Sequence, residues 1–396
     1  MTATHEEELP LVGVERPSIL SFSQVRLDLQ QKAPVCRIRT PAGDEAWLVT
    51  RHAEVKELLQ DNRLARYHPD PANAPRFLRN PMLDMLVTDT DVETERQVHE
   101  EKRVLYTKSF AARRVLDRKS RVEAIAHAKI DEIIAAGQPA DLHEMFSTVY
   151  SQNALCDMIG IPEDAREELL TQMDRVGAVD REHAEGGMES VFAFAAEVGR
   201  RRRDDPGDDV ITRFVESGLT DSEIGMHVVV LLFTGLAGLV SHLDFGVLLF
   251  LLNPEQRELA MNDPEIMARA VDEVMRATIG SPVLPRYASE DMEIGGVTIP
   301  SGDLVMLDFS LANFDDRVYA NPERFDVTRT PNPHFTFGHG MRHCTGAPLV
   351  RIIMAVGFTA LFSRLPGLSL AVPQSELESR AGGKLAGGLE RFPVRW

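Results

Sequence analysis

The residues best suited to chemistry lie in one stretch, His334-Phe335-Thr336-Phe337-Gly338-His339-Gly340-Met341-Arg342-His343-Cys344-Thr345-Gly346-Ala347-Pro348-Leu349. Its first half is rich in Gly, Phe and His and cannot form a regular helix. After Cys344 the chain runs Thr-Gly-Ala-Pro-Leu and then an apolar segment from Val350 to Phe362. A helix is therefore expected to start just past the cysteine. That sets the sulfur near the N–H groups of a helix N-terminus, which favours the thiolate. Gly340 and Gly346 let the backbone wrap closely around it. Arg342, two residues before Cys344, can face the same anionic cofactor. The chemistry this suits is that of a soft, anionic, protected sulfur ligand. The plain alternative is a buried free cysteine in a glycine-rich turn. A phosphate cradle at Gly338-His339-Gly340 is weaker still, because no strand precedes it and the third glycine is misplaced.

The stretch resembles the cysteine loop of the cytochrome P-450 superfamily, of the soluble bacterial type, whose pattern is F-x-x-G-x-R-x-C-x-G. Phe337, Gly340, Arg342, Cys344 and Gly346 fill every fixed position. The resemblance implies haem b, iron protoporphyrin IX, with Cys344 as the metal ligand and Phe337, Gly338 and Gly346 around the cofactor. A thiolate ligand pushes haem iron toward O–O cleavage. The resemblance also implies that His99, Arg103, Arg286, His334 and Arg342 contact the two propionates. His99 and Arg103 are four apart and share a helix face, a spacing that by itself is an ordinary exposed pair. Glu273 and Arg276 resemble the family's E-x-x-R motif, and the implied network adds Arg324 beneath the cysteine loop. Met82, Met85, Leu86, Leu239, Val283 and Leu284 would line the substrate pocket.

The family's central helix usually carries A/G-G-x-D/E-T, whose acid and alcohol deliver protons. Aligned on Gly235, this chain reads Thr234-Gly235-Leu236-Ala237-Gly238-Leu239. Ala237 stands for the acid and Gly238 for the alcohol, and neither side chain can relay a proton. One expectation is a water held by a carbonyl freed at a Gly235–Gly238 kink. The other is that the substrate completes the relay and the reaction is oxidative coupling.

The elements that must position these residues are legible in outline. Cys36-Arg-Ile-Arg and Ala46-Trp-Leu-Val-Thr read as a hairpin, and His52 to Leu59 as a short helix. Residues 66–98, with four prolines, read as a long irregular loop of the functional kind, followed by a helix from His99. The run Arg200-Arg-Arg-Arg-Asp-Asp-Pro-Gly-Asp-Asp reads as a solvated turn. Thr220-Asp-Ser-Glu223 is a capping box opening a helix to about Leu252, roughly 50 Å long at 1.5 Å per residue. Val228–Leu252 is long enough to span a bilayer. His242, Asp244 and the lack of flanking Lys/Arg favour a buried central helix instead. Ser281–Arg286 reads as a strand edge, and Met292–Ile299 as a hairpin with a Gly-Gly turn.

The chain has 396 residues, 43% hydrophobic and 26% charged, and a net charge of −18. This is globular composition, and the acidic balance argues against nucleic acid and anionic membranes as partners. Three unpaired-looking cysteines, Cys36, Cys156 and Cys344, point to a reducing compartment. The expectation is a cytoplasmic monomer without leader or anchor. Residues 1–16 form a flexible segment and 17–396 a single domain, mainly α with a smaller β-rich lobe, in the P-450 fold with haem between the central helix and the cysteine loop.

The implied function is a haem-thiolate oxidoreductase acting on a small natural-product-type molecule with dioxygen. No dinucleotide-binding G-x-G-x-x-G follows a strand, so electrons are expected from a ferredoxin and its reductase. The product arises by oxidative C–C or C–N coupling of aromatic or cyclic-dipeptide units, or by ordinary hydroxylation or epoxidation. A non-catalytic haem-binding sensor is a further alternative. A peroxide-using member ranks low, because no arginine lies between Val228 and Leu252.

Overall fold

The computed structural model describes residues 8–13, 19–79, 84, 87, 90–176, 181–279, 284–378 and 388–396, with backbone alone at 174–176, 181–188 and 284. The expected pocket residues Met82, Met85, Leu86 and Val283 lie outside the described residues, and so does the side chain of Leu284. A helical body and a smaller sheet-rich lobe share the chain, as the sequence suggested.

The lobe is a five-stranded sheet. Its order is β1 (Val35–Arg39), β2 (Glu45–Val49), β8 (Leu304–Leu307), β5 (Leu284–Ala288), β3 (Leu64–Ala65). β1 alternates buried and exposed residues and pairs antiparallel with β2, as a half-buried strand should. β8 lies in the middle, is buried along its length and runs parallel to β2. β5 sits between β8 and β3, but β3 pairs only with Tyr287 and Ala288. Among the described residues, Leu284–Arg286 therefore have a strand neighbour on one side alone. Two smaller sheets complete the set. β6 (Met292–Ile294) and β7 (Val297–Ile299) form the expected Gly295-Gly296 hairpin, both glycines at positive φ. β4 (Ala140–Asp141), β10 (Pro393–Arg395) and β9 (Ser369–Leu370) form the other. Near the start of the chain, Leu11 bridges Arg39 and Val12 is buried, so this part of the N-terminal segment lies along β1.

Five helices position the site: α1 (His52–Gln60), α2 (Val92–Ser109), α3 (Asp221–Leu252), α4 (Pro264–Ala277) and α5 (Ala347–Arg364). α2 begins seven residues before the expected start. The Asp91 carboxylate accepts from the Thr94 N–H and hydroxyl at 3.0 and 2.6 Å, an N-cap that extends the helix into the stretch read as loop. α3 opens on the expected capping box: Thr220 N–H donates to Glu223 at 2.8 Å, and Glu223 N–H to Thr220 Oγ1 at 3.3 Å. It runs to Leu252 as one continuous helix, with no interruption at Gly235–Gly238. α3 and α5 are long and apolar enough to cross a membrane. Here their apolar faces pack into one core with the helices Val149–Ile159 and Arg181–Asp204 and with α4.

The arginine run is not a solvated turn. Arg200–Arg203 form the last turn of helix Arg181–Asp204, where cations favour the helix dipole. Arg202 is partly buried, with Nε donating to Gly160 O at 2.9 Å.

Candidate functional site

The cysteine loop is a set of tight turns held by backbone bonds. Cys344 N–H donates to Phe337 O and Gly338 N–H to Phe335 O, both at 2.7 Å. Gly338 and Gly340 take φ values of +69° and +64°, the left-handed region that glycine enters without steric cost. A Cβ on Gly340 would lie 3.3 Å from Leu59 O on α1. α5 follows with Gly346 at its N-cap, and the N–H groups of Gly346 and Ala347 reach the Cys344 sulfur. Burial nevertheless wins and pushes the thiol pKa up, against those N–H groups and the charges of Arg103 and Arg351. The helix N-terminus alone therefore does not make a thiolate here, and coordination to a metal would have to complete it. Cys344 keeps accessible surface although protein surrounds it, as expected of a group lining a concavity.

Beneath the loop lies a buried ionic network. Glu273 is fully buried and accepts from Arg276 at 2.9 and 2.8 Å and from Arg329 at 3.2 Å to each oxygen. It also takes Asp326 N–H at 3.0 Å and Asn332 Nδ2 at 3.2 Å. Arg276, also buried, donates to the carbonyls of Asn313 and Pro322 and stacks on Phe314 and Tyr319. The second guanidinium is that of Arg329, not of the expected Arg324. Arg324 enters only through its carbonyl, which accepts from Arg276 and Arg329. The charge satisfies a buried carboxylate, and the backbone acceptors tie the segment before the cysteine loop to α4.

A second cluster joins α2, β5 and the loop. Arg342 donates to Glu95 at 3.0 Å and Arg66 to Glu95 at 3.1 Å. Arg103 donates to His343 O at 2.7 Å. Burial, reinforced by Arg342 and Arg66, lowers the Arg286 pKa to about 9. Burial and then Arg342, Arg66 and Arg103 lower that of His99 to about 4. Burial opposes ionisation of Glu95, but Arg342 and Arg66 outweigh it and hold its carboxyl below the usual range. Two arginines thus pair with the Glu95 carboxylate while Arg286, Arg103 and His99 stand close by, and His99 Nδ1 is buried without a partner among the described residues. Such a surplus of donors fits a dianionic edge such as that of haem. Glu95 and Arg66 were missed in the sequence. The i, i+4 spacing of Glu95 and His99 was the available signal, hidden by reading 66–98 as loop.

His334 is placed elsewhere. Its Nε2 lies 3.4 Å from Asp272, which also accepts from Arg351 Nε at 2.8 Å. Arg351 in turn sits over the Phe337 ring at 4.6 Å. The contact of His334 is thus with a carboxylate of α4.

On α3, the Thr234 hydroxyl is exposed and donates to Val230 O at 2.7 Å. Gly235 faces helix Val149–Ile159, where a Cβ would meet Leu155 at 3.0 Å. Ala237 is half-buried. Gly238 faces open space, with nothing within 4 Å of a built Cβ. Its carbonyl lies 2.6 Å from His242 Nδ1, so it is not available to a water as expected. Leu239, one residue on and so rotated by about 100°, is buried in the helical core rather than open to a pocket. Asp244 is fully buried and 2.6 Å from His143 Nδ1.

Among known proteins, the family model described as Cytochrome P450 matches residues 200–366. Pentalenolactone synthase of Streptomyces exfoliatus is 35% identical over 399 residues, covering 98% of this chain and 99% of that protein. The X-ray structure of substrate-free PimD, a polyene macrolide antibiotic pimaricin epoxidase, superposes with a TM-score of 0.91 at 46% identity. It covers 98% of this chain and 99% of its own. SgvP, described as a putative thioether synthase in the tailoring of griseoviridin, superposes with a TM-score of 0.89 at 28% identity, over 98% and 100% of the two chains. Full-length likeness at these identities, on top of the cysteine loop and its supporting network, assigns the chain: it belongs to the cytochrome P450 family, and is a haem b-dependent oxidoreductase.

Proposed function

We propose that this protein is a monooxygenase that epoxidises or hydroxylates a macrolide-like natural product. The carrying observation is the 46% identity to a polyene macrolide epoxidase over 98% of the chain. The open space beside Gly238 supports the reading, because it leaves room for a bulky substrate. In this reading Cys344 would hold the haem iron, and Arg66, His99, Arg103, Arg286 and Arg342 would receive the propionates. When bound, the haem supplies dioxygen activation, which the thiolate favours. The residues of the chain then hold the cofactor, exclude water and orient the substrate. Electrons come from a ferredoxin and its reductase in the cytoplasm.

Oxidative coupling is the second reading. Ala237 and Gly238 offer no proton donor, and the fold is shared with a putative thioether synthase. Isotopically labelled dioxygen separates the two. A labelled hydroxyl or epoxide supports oxygen insertion. A product two hydrogens lighter, or a dimer without label, overturns it in favour of coupling. Substrate-dependent NAD(P)H consumption with an added ferredoxin system tests the electron route.

A further inference from the structure

The stretch of α3 that lacks the acid and the alcohol still carries an ordered polar contact. His242 is one turn beyond Gly238, on nearly the same face, and helix side chains lean toward the N-terminus. Its ring therefore folds back over the turn of Gly238, with Nδ1 2.6 Å from the Gly238 carbonyl. A carbonyl only accepts, so Nδ1 carries the proton. The carbonyl already serves the helix and has two lone pairs, and the ring takes the second. His242 is itself buried. The other polar side chains that could serve this turn are committed or turned away. The Thr234 hydroxyl is bound to Val230 O, Asp244 is paired with His143, and Ser241 is buried beside Gly388. Gly238 adds a contrast: a Cβ there would meet nothing within 4 Å, while its carbonyl is occupied by an imidazole.

We infer that His242 is a positioning residue that caps the Gly238 carbonyl in place of the missing acid–alcohol pair, denying that carbonyl to water. It acts through the backbone of Gly238 and does not itself need to touch substrate. The consequence is control of leakage. A bare carbonyl facing the reaction space would anchor a stray water, and reducing equivalents would leave as hydrogen peroxide instead of reaching product. The inference rests on the proposed oxygen-inserting reading for its effect on turnover, but not for its effect on α3.

Two substitutions separate the donor from the bulk of the ring. His242→Phe keeps the size and loses the donor. His242→Asn places an amide N–H where Nδ1 was. Phe is expected to raise the ratio of peroxide to product about tenfold, the scale of one buried hydrogen bond. It should also speed amide hydrogen exchange across residues 238–242. Asn is expected to recover most of both losses. The inference is overturned if Phe changes neither readout, or if Asn and Phe behave alike. His242→Leu carries the same expectation as Phe should the latter fail to fold. If the parent makes no oxygenated product at all, the oxygen-inserting reading fails, and the exchange comparison still decides the role of His242.

Discussion

Replacing Glu273 by glutamine keeps the shape of the side chain and removes the charge that two arginines share. Arg276 is fully buried, and Arg329 is largely so. The variant leaves both guanidinium groups without a counter-charge. Stranding a buried charge costs about 3–5 kcal/mol. The carbonyls of Asn313, Pro322 and Arg324 and the faces of Phe314 and Tyr319 soften this without neutralising it, which places the loss near the lower end, about 3 kcal/mol. Against a total stability of about 5–15 kcal/mol, that is a large share. The assay is urea unfolding of the haem-loaded protein followed by far-ultraviolet circular dichroism, with haem release read in parallel. Glu197→Gln, which discharges the exposed pair with Arg200, is the control and should leave the midpoint unchanged. A loss below about 1 kcal/mol for Glu273→Gln would refute the view that this network holds the cysteine loop.

Arg342→Ala should weaken haem retention, measured by transfer to apomyoglobin, whereas Arg200→Ala on the exposed helix end should not; equal retention would count against the arginine cluster as the propionate site. The pKa of His99 falls from the ordinary 6.5 to about 4 in the folded chain. Below the ordinary value the unfolded chain therefore binds the extra proton, and stability is complete above about 6.5 and lost as pH drops toward 4. Urea midpoints of the haem-free protein at pH 7 and pH 5 should differ by less in His99→Asn than in the parent. Lys102 and Lys108 are exposed on α2, and Arg351 is partly exposed beside the loop. Electron transfer from an acidic ferredoxin should accordingly slow as salt rises, and a flat dependence would contradict docking there.

What the sequence made legible follows from how local each signal is. The cysteine loop is carried by residues within one ten-residue span, and the central helix by its capping box and apolar length. Both can be read from neighbours along the chain. The third member of the buried network could not. Arg324 and Arg329 are equally basic, and only the path of the backbone from Asn321 to Asn332 decides which guanidinium reaches Glu273. The Glu95–Arg66 contact was lost for a related reason. A proline-rich, charged stretch gives no periodicity, which hides the N-cap at Asp91 and the helical place of Glu95. His334 shows the same limit: the pattern suggests a propionate, but the structure sets its Nε2 3.4 Å from Asp272. The missing side chain at Gly238 is plain in the sequence, but the contact of its carbonyl with His242 is not, because the fold-back of the ring is set by a side-chain rotamer.

The most direct measurement is the Soret spectrum of the reduced protein under carbon monoxide, taken for the parent and for Cys344→Ala. A thiolate opposite the carbon monoxide gives a strongly red-shifted band. That band is expected in the parent and should disappear in Cys344→Ala. Survival of the band in the variant, or its absence from a haem-loaded parent, would contradict the assignment of Cys344 as the ligand around which the chain is built.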